Sequence, residues 1–217
     1  MRLKNKLSKP LIKIKGIPVF VYALKTISQH PALKEIIVVA NQANIQAIKS
    51  YLAQYRINKI SAVVLGGRTR RISVERGLKA LDKRVDFVLI HDAVRPFIQG
   101  KIISRVIAQA RRFGAAVAGV PVKATIKRVK SNLIVERTLK RDELWEIQTP
   151  QVFRKDLILA AYKKFKDKDV TDDAALVEKL GKKVHLVLDS YNNIKITTPE
   201  DLVIAETICK KLKCHIG

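Results

Sequence analysis

The chain has 217 residues, of which 47% are hydrophobic and 29% are charged, and this composition is typical of a globular protein with one large or two small domains. No apolar run approaches the roughly 18 residues of a membrane span, and no apolar segment follows the basic N-terminus as in a secretory signal. The net charge of +24 would suit nucleic acid, but the basic residues are spread along the chain without an RNA-binding motif. We therefore expect attraction of a small polyanion such as a nucleoside triphosphate, and no specific nucleic acid.

In chain order, strand-like apolar runs alternate with amphipathic, helix-like stretches. The predicted strands are residues 36–40, 62–65, 87–90 and 115–120, and the predicted helices are residues 18–29, 44–55, 73–81 and 101–113. The alternation predicts an α/β fold with a doubly wound, mainly parallel sheet. No repeat or low-complexity linker interrupts it, so we expect residues 1–217 to form a single domain.

Residues 123–146 depart from this alternation. They are charged and β-branched with alternating polarity, and Ser131-Asn132 has the composition of a turn. The pattern predicts an extended β-arm with little core of its own, so we expect a homodimer in which the arm packs on the other subunit. Beyond the arm we predict helices over 155–166 and 172–180, a strand over 184–188 and a last helix opened by Thr198-Pro199-Glu200-Asp201.

The number and spacing of the cysteines indicate the cellular compartment. Cys209 and Cys214 are five residues apart, a spacing that fits no zinc motif, and two thiols suit a reducing environment. We therefore expect a cytoplasmic protein.

The segment His91-Asp92-Ala93-Val94-Arg95-Pro96 directly follows the predicted strand 87–90. Open α/β sheets bind their ligands at the carboxyl ends of strands, where an acid can hold a metal or a polyol and an arginine can hold a phosphate. The alternative is that Asp92 caps a turn and Arg95 is solvated.

A second turn, Leu65-Gly66-Gly67, ends another predicted strand. Two glycines allow a ligand to approach the backbone closely, and Ser73 could cap the next helix or bond a nucleobase. The alternative is a plain glycine turn followed by a helix cap.

Seven segments in order, covering almost the whole chain, resemble the 2-C-methyl-D-erythritol 4-phosphate cytidylyltransferase family. They are Gly66-Gly67 with Ser73-Val74, residues 91–96, residues 120–127, residues 141–145, residues 148–153, residues 170–174 and residues 193–202. The resemblance implies a Rossmann-like nucleotidyltransferase and a homodimer whose arms cross. It also implies Mg²⁺-dependent transfer of CMP from CTP to a sugar-alcohol phosphate, with release of pyrophosphate, in non-mevalonate isoprenoid precursor synthesis.

Residue roles follow from the same resemblance. It implies that Arg2, Lys9 and Lys195 are catalytic cations, and that the CTP contacts are Gly66, Gly67, Ser73, Asp92 and Ala93. The implied acceptor contacts are Asp92, Arg95, Thr125, Arg141, Thr171 and Lys195, with Thr125 and Arg141 reaching across the dimer. Asp92 is also the candidate metal ligand. We expect His91 to support the site without acting as a base, and we interpret Trp145, Thr149 and Pro150 as structural.

The start of the chain departs from the family pattern. The family begins with a strand and an Ala-Ala-Gly-x-Gly-x-Arg loop, and here Met1 stands immediately before the arginine. That strand is central in a doubly wound sheet, and its loop cradles the CTP phosphates. We therefore expect Met1 to be a misassigned or internal start, with roughly 15–20 native residues before it. As written, the chain should have a gap in its sheet and bind CTP weakly.

Two other functions remain alternatives. A ribitol 5-phosphate cytidylyltransferase shares the fold, the glycine turn and the acid, although residues 123–127 favour methylerythritol phosphate. A catalytically impaired, basic derivative that binds nucleic acid would also account for the charge and the lost loop.

Overall fold

The computed structural model describes residues 9–166 and 170–212. Arg2, predicted to be catalytic, and Cys214 lie outside the described residues. Within them, no helix is both long enough and apolar enough to cross a bilayer.

The described elements follow the predicted alternation. The helices are α1 (Val19–Gln29), α2 (Ile45–Gln54), α3 (Arg70–Lys79), α4 (Gly100–Phe113), α5 (Lys155–Lys164), α6 (Ala174–Lys179) and α7 (Pro199–Lys211). The strands are β1 (Lys13–Ile14), β2 (Ile17–Pro18), β3 (Ile36–Ala40), β4 (Ile60–Leu65), β5 (Phe87–Ile90), β6 (Ala115–Pro121), β7 (Lys127–Val129), β8 (Val135–Thr138), β9 (Trp145–Arg154) and β10 (His185–Leu188).

The largest sheet has the strand order β10-β6-β9-β5 and is mixed. β10 is parallel to β6, whereas β9 is antiparallel to both β6 and β5. The sequence pattern did not predict β9, because Pro150 and a run of polar residues resemble a turn. Those polar side chains are buried: Gln148, Thr149 and Gln151.

Helices cover both faces of this sheet, as expected for a doubly wound fold. On one face, α4 buries its apolar side against β6 and β9 through Ile102, Ile103 and Val106. On the other face, α5 and α6 pack through Ile158, Ala161, Leu176 and Val177. The small residues of β6 allow both layers to approach closely.

Among the described residues, the core strands fall into two separate sheets. β3 and β4 form a separate parallel pair, and no strand in the described part of the chain joins this pair to β5. β5 itself pairs only with β9. A cavity of about 400 Å³ lies between the end of β3 and residues 93–94, and its lining includes Phe20, Val38 and Val39.

The predicted β-arm is an antiparallel ribbon of β7 and β8 within residues 123–146. Every residue of its two strands is exposed. Its apolar side chains are therefore left open to solvent in a single subunit, including Val129, Leu133, Ile134 and Val135.

The N-terminus of α7 is fixed by Asp201. This carboxylate accepts hydrogen bonds from the backbone N–H groups of Thr197 and Thr198, at 2.7 and 2.8 Å, and from the Thr197 hydroxyl at 2.9 Å. Burial alone would raise the pKa of Asp201, but these hydrogen bonds lower it. The cap thereby directs the chain that precedes the helix.

We expect Asp201→Ala to lower the free energy of unfolding by about 0.5–2 kcal/mol at neutral pH, because it removes the cap. Since the folded pKa of Asp201 lies below its ordinary value of 3.8, its contribution to stability is fully present above about pH 4 and is lost as the pH falls through the folded pKa. Urea unfolding from pH 7 to pH 2 measures both effects. Glu206→Ala, an exposed change on the same helix, should leave stability nearly unchanged. A difference between Asp201→Ala and the wild type that persisted undiminished in acid would contradict the ionic cap.

Candidate active site

Asp92 lies just beyond the carboxyl end of β5 and contacts two cations. Its Oδ1 accepts a hydrogen bond from Nε of Arg70 at 3.2 Å, and its Oδ2 lies 2.7 Å from Nζ of Lys195. Burial would raise the pKa of Asp92, but Arg70 and Lys195 lower it to about 2, so the carboxylate is ionised at neutral pH. The structure thus brings two predicted site residues, Asp92 and Lys195, into direct contact.

The backbone of Asp92 is held by a chain of neutral groups. Its N–H donates to Thr149 Oγ1 at 3.0 Å, and the Thr149 hydroxyl lies 3.0 Å from Nδ1 of His91. Nε2 of His91 lies 3.0 Å from the Arg95 carbonyl oxygen, so Nε2 carries the proton and Nδ1 accepts from Thr149. Burial lowers the pKa of His91 to about 4, which keeps the ring neutral. Both ring nitrogens are therefore occupied, which agrees with a supporting role.

The side chain of Arg95, three residues after Asp92, is buried. It is 5% exposed, and its Nη1 donates to the Asn193 carbonyl at 2.7 Å. Asn193 in turn donates through Nδ2 to the Thr149 carbonyl at 2.9 Å. Burial lowers the pKa of Arg95. These contacts join the loop after β5 to the segment before α7, and direct phosphate binding by Arg95 stays a prediction.

Lys9 and Ala93 meet at the cavity between β3 and the Asp92 loop. Both line it, and Nζ of Lys9 donates to the Thr197 carbonyl at 3.1 Å. The backbone N–H of Ile196 donates to the Val94 carbonyl at 2.9 Å. Lys9 and Lys195 therefore approach the same loop from neighbouring segments.

The glycine turn after β4 leads into α3, which begins earlier than predicted. Thr69, not Ser73, caps the helix, because Thr69 Oγ1 accepts from the Ile72 N–H at 3.2 Å. Ser73 lies inside the helix, where its hydroxyl oxygen accepts from the Gly67 N–H at 3.1 Å. Gly66 and Gly67 are thus held against the first turns of α3.

Arg70 connects this turn to Asp92. Its Nη2 donates to Asp173 Oδ2 at 2.8 Å, while its Nε contacts Asp92. Burial opposes the charge of Arg70, but Asp173 and Asp92 together raise its pKa. The side chain of Asp173 is 1% exposed and also accepts from the Tyr162 hydroxyl. Ion pairs therefore link Lys195 through Asp92 and Arg70 to the buried Asp173.

The predicted arm residues lie apart from this cluster in the described subunit. Thr125 is exposed, and Arg141 Nη1 donates to the Lys123 carbonyl at 3.2 Å. Thr171 is exposed near the start of α6, two residues before Asp173. Their roles as acceptor contacts stay predictions.

Sequence reasoning did not assign functions to Arg70, Asp173, Thr149 and Asn193, although these residues hold the site together. One signal was available for Arg70. Arg70 and Arg71 occupy the first turn of a helix, where the macrodipole disfavours cations, so acidic partners were to be expected. Thr149 was interpreted as structural, and the contact with Asp92 was hidden because the two residues are far apart in sequence.

We expect Gly67→Ala to destabilise the turn. A Cβ at this position would lie 2.1 Å from Cγ2 and 2.5 Å from Cβ of Ile72, so the backbone must move. Because even Ile72→Ala keeps its Cβ, the double variant Gly67→Ala/Ile72→Ala should not regain the melting temperature of Ile72→Ala alone. Gly100→Ala, whose added Cβ meets only His30 at 3.9 Å, is the matched control for thermal unfolding. Full recovery in the double variant would contradict this packing argument.

Comparison with known proteins extends over nearly the whole chain. Residues 1–211 match the family model of 2-C-methyl-D-erythritol 4-phosphate cytidylyltransferase. A protein of that name from Alkaliphilus oremlandii is 44% identical over 212 residues, which are 96% of this chain and 90% of that protein. Another, from Syntrophus aciditrophicus, is 43% identical over 213 residues, covering 97% and 91% of the two chains.

Solved structures agree. The 4-diphosphocytidyl-2C-methyl-D-erythritol synthase from Anaerococcus prevotii superposes with a TM-score of 0.87 at 37% identity, covering 94% of this chain and 91% of that one. The 2-C-methyl-D-erythritol 4-phosphate cytidylyltransferase from Thermus thermophilus gives a TM-score of 0.75 at 31% identity, with 93% of each chain covered. With the Asp92 cluster in place at the end of β5, these matches establish that the chain belongs to the 2-C-methyl-D-erythritol 4-phosphate cytidylyltransferase family.

Proposed function

We propose that this protein transfers CMP from CTP to 2-C-methyl-D-erythritol 4-phosphate, giving 4-diphosphocytidyl-2-C-methyl-D-erythritol and pyrophosphate in non-mevalonate isoprenoid synthesis. The observation that carries the assignment is the Asp92–Lys195 contact of 2.7 Å at the end of β5. The contact supports the assignment because it joins a carboxylate that could bind a polyol to a cation that could bind a phosphate, in a chain whose family is named for this reaction.

The chemistry requires positioning and charge neutralisation. A phosphate oxygen of the acceptor attacks the α-phosphorus of CTP, a new P–O bond forms, and the bond to the bridging oxygen breaks as pyrophosphate leaves. Negative charge gathers around the α-phosphorus, and Lys9, Lys195 and Arg2 are the proposed cations that stabilise it. The described contacts support this, because the Lys195 ammonium group lies against Asp92 and the Lys9 ammonium group contacts Thr197, two residues after Lys195.

No general base is required. The attacking phosphate is already ionised at neutral pH, and His91, which precedes Asp92, has both ring nitrogens engaged and a pKa lowered to about 4. We propose that His91 instead fixes Thr149, and through it the backbone of Asp92.

The nucleotide side of the site would be formed by Gly66, Gly67, Ser73 and Ala93. The Gly67 N–H is already bonded to Ser73, so the turn is rigid before a ligand arrives. The acceptor side would be formed by Asp92 and Lys195, with Arg95 and Thr171 nearby and with Thr125 and Arg141 from a second subunit.

Mg²⁺ is the proposed cofactor and would enter with CTP. In residues 9–166 and 170–212, no three acidic, histidine or cysteine side chains converge to hold a metal. Asp92 is the candidate protein ligand, but both its oxygens contact cations, so the residues present do not form a metal site by themselves. We therefore propose that the ion would be held mainly by CTP and not by side chains of this protein.

We also propose a homodimer assembled through the β-arm. The arm exposes Leu133 and Ile134, at 87% and 58%, more than an arm packed on its own subunit would. A second apolar patch lies at the edge of the four-stranded sheet, where Leu186 and Ile147 flank Gly119 and Leu188 is 51% exposed. The arm of a second copy is the proposed occupant of this patch.

A cytoplasmic location accompanies the proposal. It is supported by the low cysteine content of two residues in 217, since disulfide-dependent proteins of oxidising compartments are richer in cysteine.

The direct test supplies the protein with CTP, Mg²⁺ and one acceptor at a time, and pyrophosphate release is measured. We expect release with methylerythritol phosphate and far less with ribitol 5-phosphate. A preference for ribitol phosphate would overturn the acceptor assignment. Tight, sequence-selective RNA binding at physiological salt, without turnover of either acceptor, would favour the nucleic-acid alternative.

Lys195→Ala and Arg141→Ala should each lower kcat by on the order of 100- to 1,000-fold without unfolding the protein, since each removes a cation from a phosphate. If Arg141 serves the other subunit, mixing the two inactive variants should restore one intact site per heterodimer. Pyrophosphate release from the mixture measures this recovery.

The matched controls are Lys211→Ala for Lys195 and Lys140→Ala for Arg141, both exposed lysines. Native mass spectrometry must confirm that heterodimers form. Heterodimers without recovered activity would refute the shared site.

A further inference from the structure

The two cations on Asp92 are held in different ways. The side chain of Lys195 is flexible and 41% exposed, and its ammonium group binds Oδ2 of Asp92. Arg70 reaches Oδ1 through Nε, and its Nη2 is bound at the same time to Asp173 at 2.8 Å. One cation is therefore held at a single point and the other is fixed between two carboxylates.

Asp173 makes the anchor of Arg70 rigid. Its side chain is 1% exposed, and its second oxygen accepts from the Tyr162 hydroxyl, which is itself buried on α5. The neighbouring Asp172 accepts a hydrogen bond from the buried side chain of Gln151 on β9 at 2.8 Å. The start of α6 is thus fastened to both α5 and β9, so Arg70 cannot follow Asp92 or Lys195 if either moves.

The difference has a consequence for the reaction, and this step rests on the proposed function. The ammonium group of Lys195 carries three N–H donors and can move from Asp92 towards a substrate phosphate. When it moves to the phosphate, Asp92 would be left as a largely buried, unpaired carboxylate unless another cation remained, and such a charge is strongly unfavourable. Arg70 can stay bound to Asp92, because Asp173 holds it in place.

We propose that Arg70 is a positioning residue, the fixed counterion of Asp92, which holds this carboxylate in place for the acceptor hydroxyls while Lys195 transfers from Asp92 to the phosphates. Arg70 touches neither substrate in this scheme. It acts by keeping one oxygen of Asp92 engaged, so that the other can exchange an ammonium group for a hydroxyl of the acceptor. The planar guanidinium suits this task because two of its nitrogens point to different carboxylates.

The test must separate this role from simple structural support. Arg70→Gln alone would leave Asp173 buried without its counterion, and the protein could fail to fold. The informative variant is Arg70→Gln/Asp173→Asn, in which both charges are removed and a neutral hydrogen bond can replace the pair. Arg84→Gln/Asp82→Asn, which neutralises an exposed Arg–Asp pair, is the matched control.

In the folded double variant we expect KM for the acceptor to rise on the order of 10- to 100-fold, with a much smaller change in KM for CTP. The control variant should match the wild type. Arg70→Lys should also raise the acceptor KM, since a lysine lacks the separate nitrogens through which Arg70 reaches Asp92 and Asp173. A wild-type acceptor KM in the stable double variant or in Arg70→Lys would overturn the proposal.

A second readout needs no turnover. In a crystal structure of the ligand-free double variant, the Asp92 carboxylate should rotate towards Lys195, because nothing holds Oδ1. An unchanged Asp92 would also overturn the positioning role. A wild-type protein that released no pyrophosphate with either acceptor would count against the proposed function, while this structural comparison would still decide the role of Arg70.

Discussion

The ionised carboxylate of Asp92 is the point at which three distant parts of the chain meet. It is largely removed from water, and a carboxylate in that position costs several kcal/mol unless cations and hydrogen bonds compensate it. Arg70 at the start of α3 and Lys195 before α7 provide the cations, and Thr149 on β9 binds the backbone. These contacts tie the three elements together at this end of the sheet.

Neutral polar side chains hold the loop that carries Asp92 through hydrogen bonds. A charged imidazole at position 91 would repel Arg95 and lose its acceptor nitrogen, so burial and the hydrogen bond to Thr149 both select the neutral ring. Asn193 then links Arg95 to β9. β9 differs from an ordinary buried strand in its polar residues Gln148, Thr149 and Gln151. Each of them forms a hydrogen bond with a neighbouring segment, and Thr149 also binds the loop that carries Asp92.

Much of the fold could be predicted from the sequence. The spacing of apolar residues and the length of each segment distinguish buried strands such as β3 from amphipathic helices such as α4. β9 was missed since its inward-facing residues are polar, and a pattern method assigns polarity to the surface. Asp92 and Lys195 could be singled out as site residues, but their contact with each other could not be foreseen from spacing. Arg70 and Asp173 are separated by more than a hundred residues, and their pairing arises only because the fold brings the starts of α3 and α6 together.

The shielding of the Arg70 ion pairs has a consequence for the response to salt. The side chains of Asp92 and Asp173 are 15% and 1% exposed, and dissolved ions screen buried ion pairs much less than exposed ones. Exposed pairs such as Arg84–Asp82 should weaken as the ionic strength rises. The contact between the start of α3 and the loop after β5 should therefore persist at salt concentrations that separate the surface pairs.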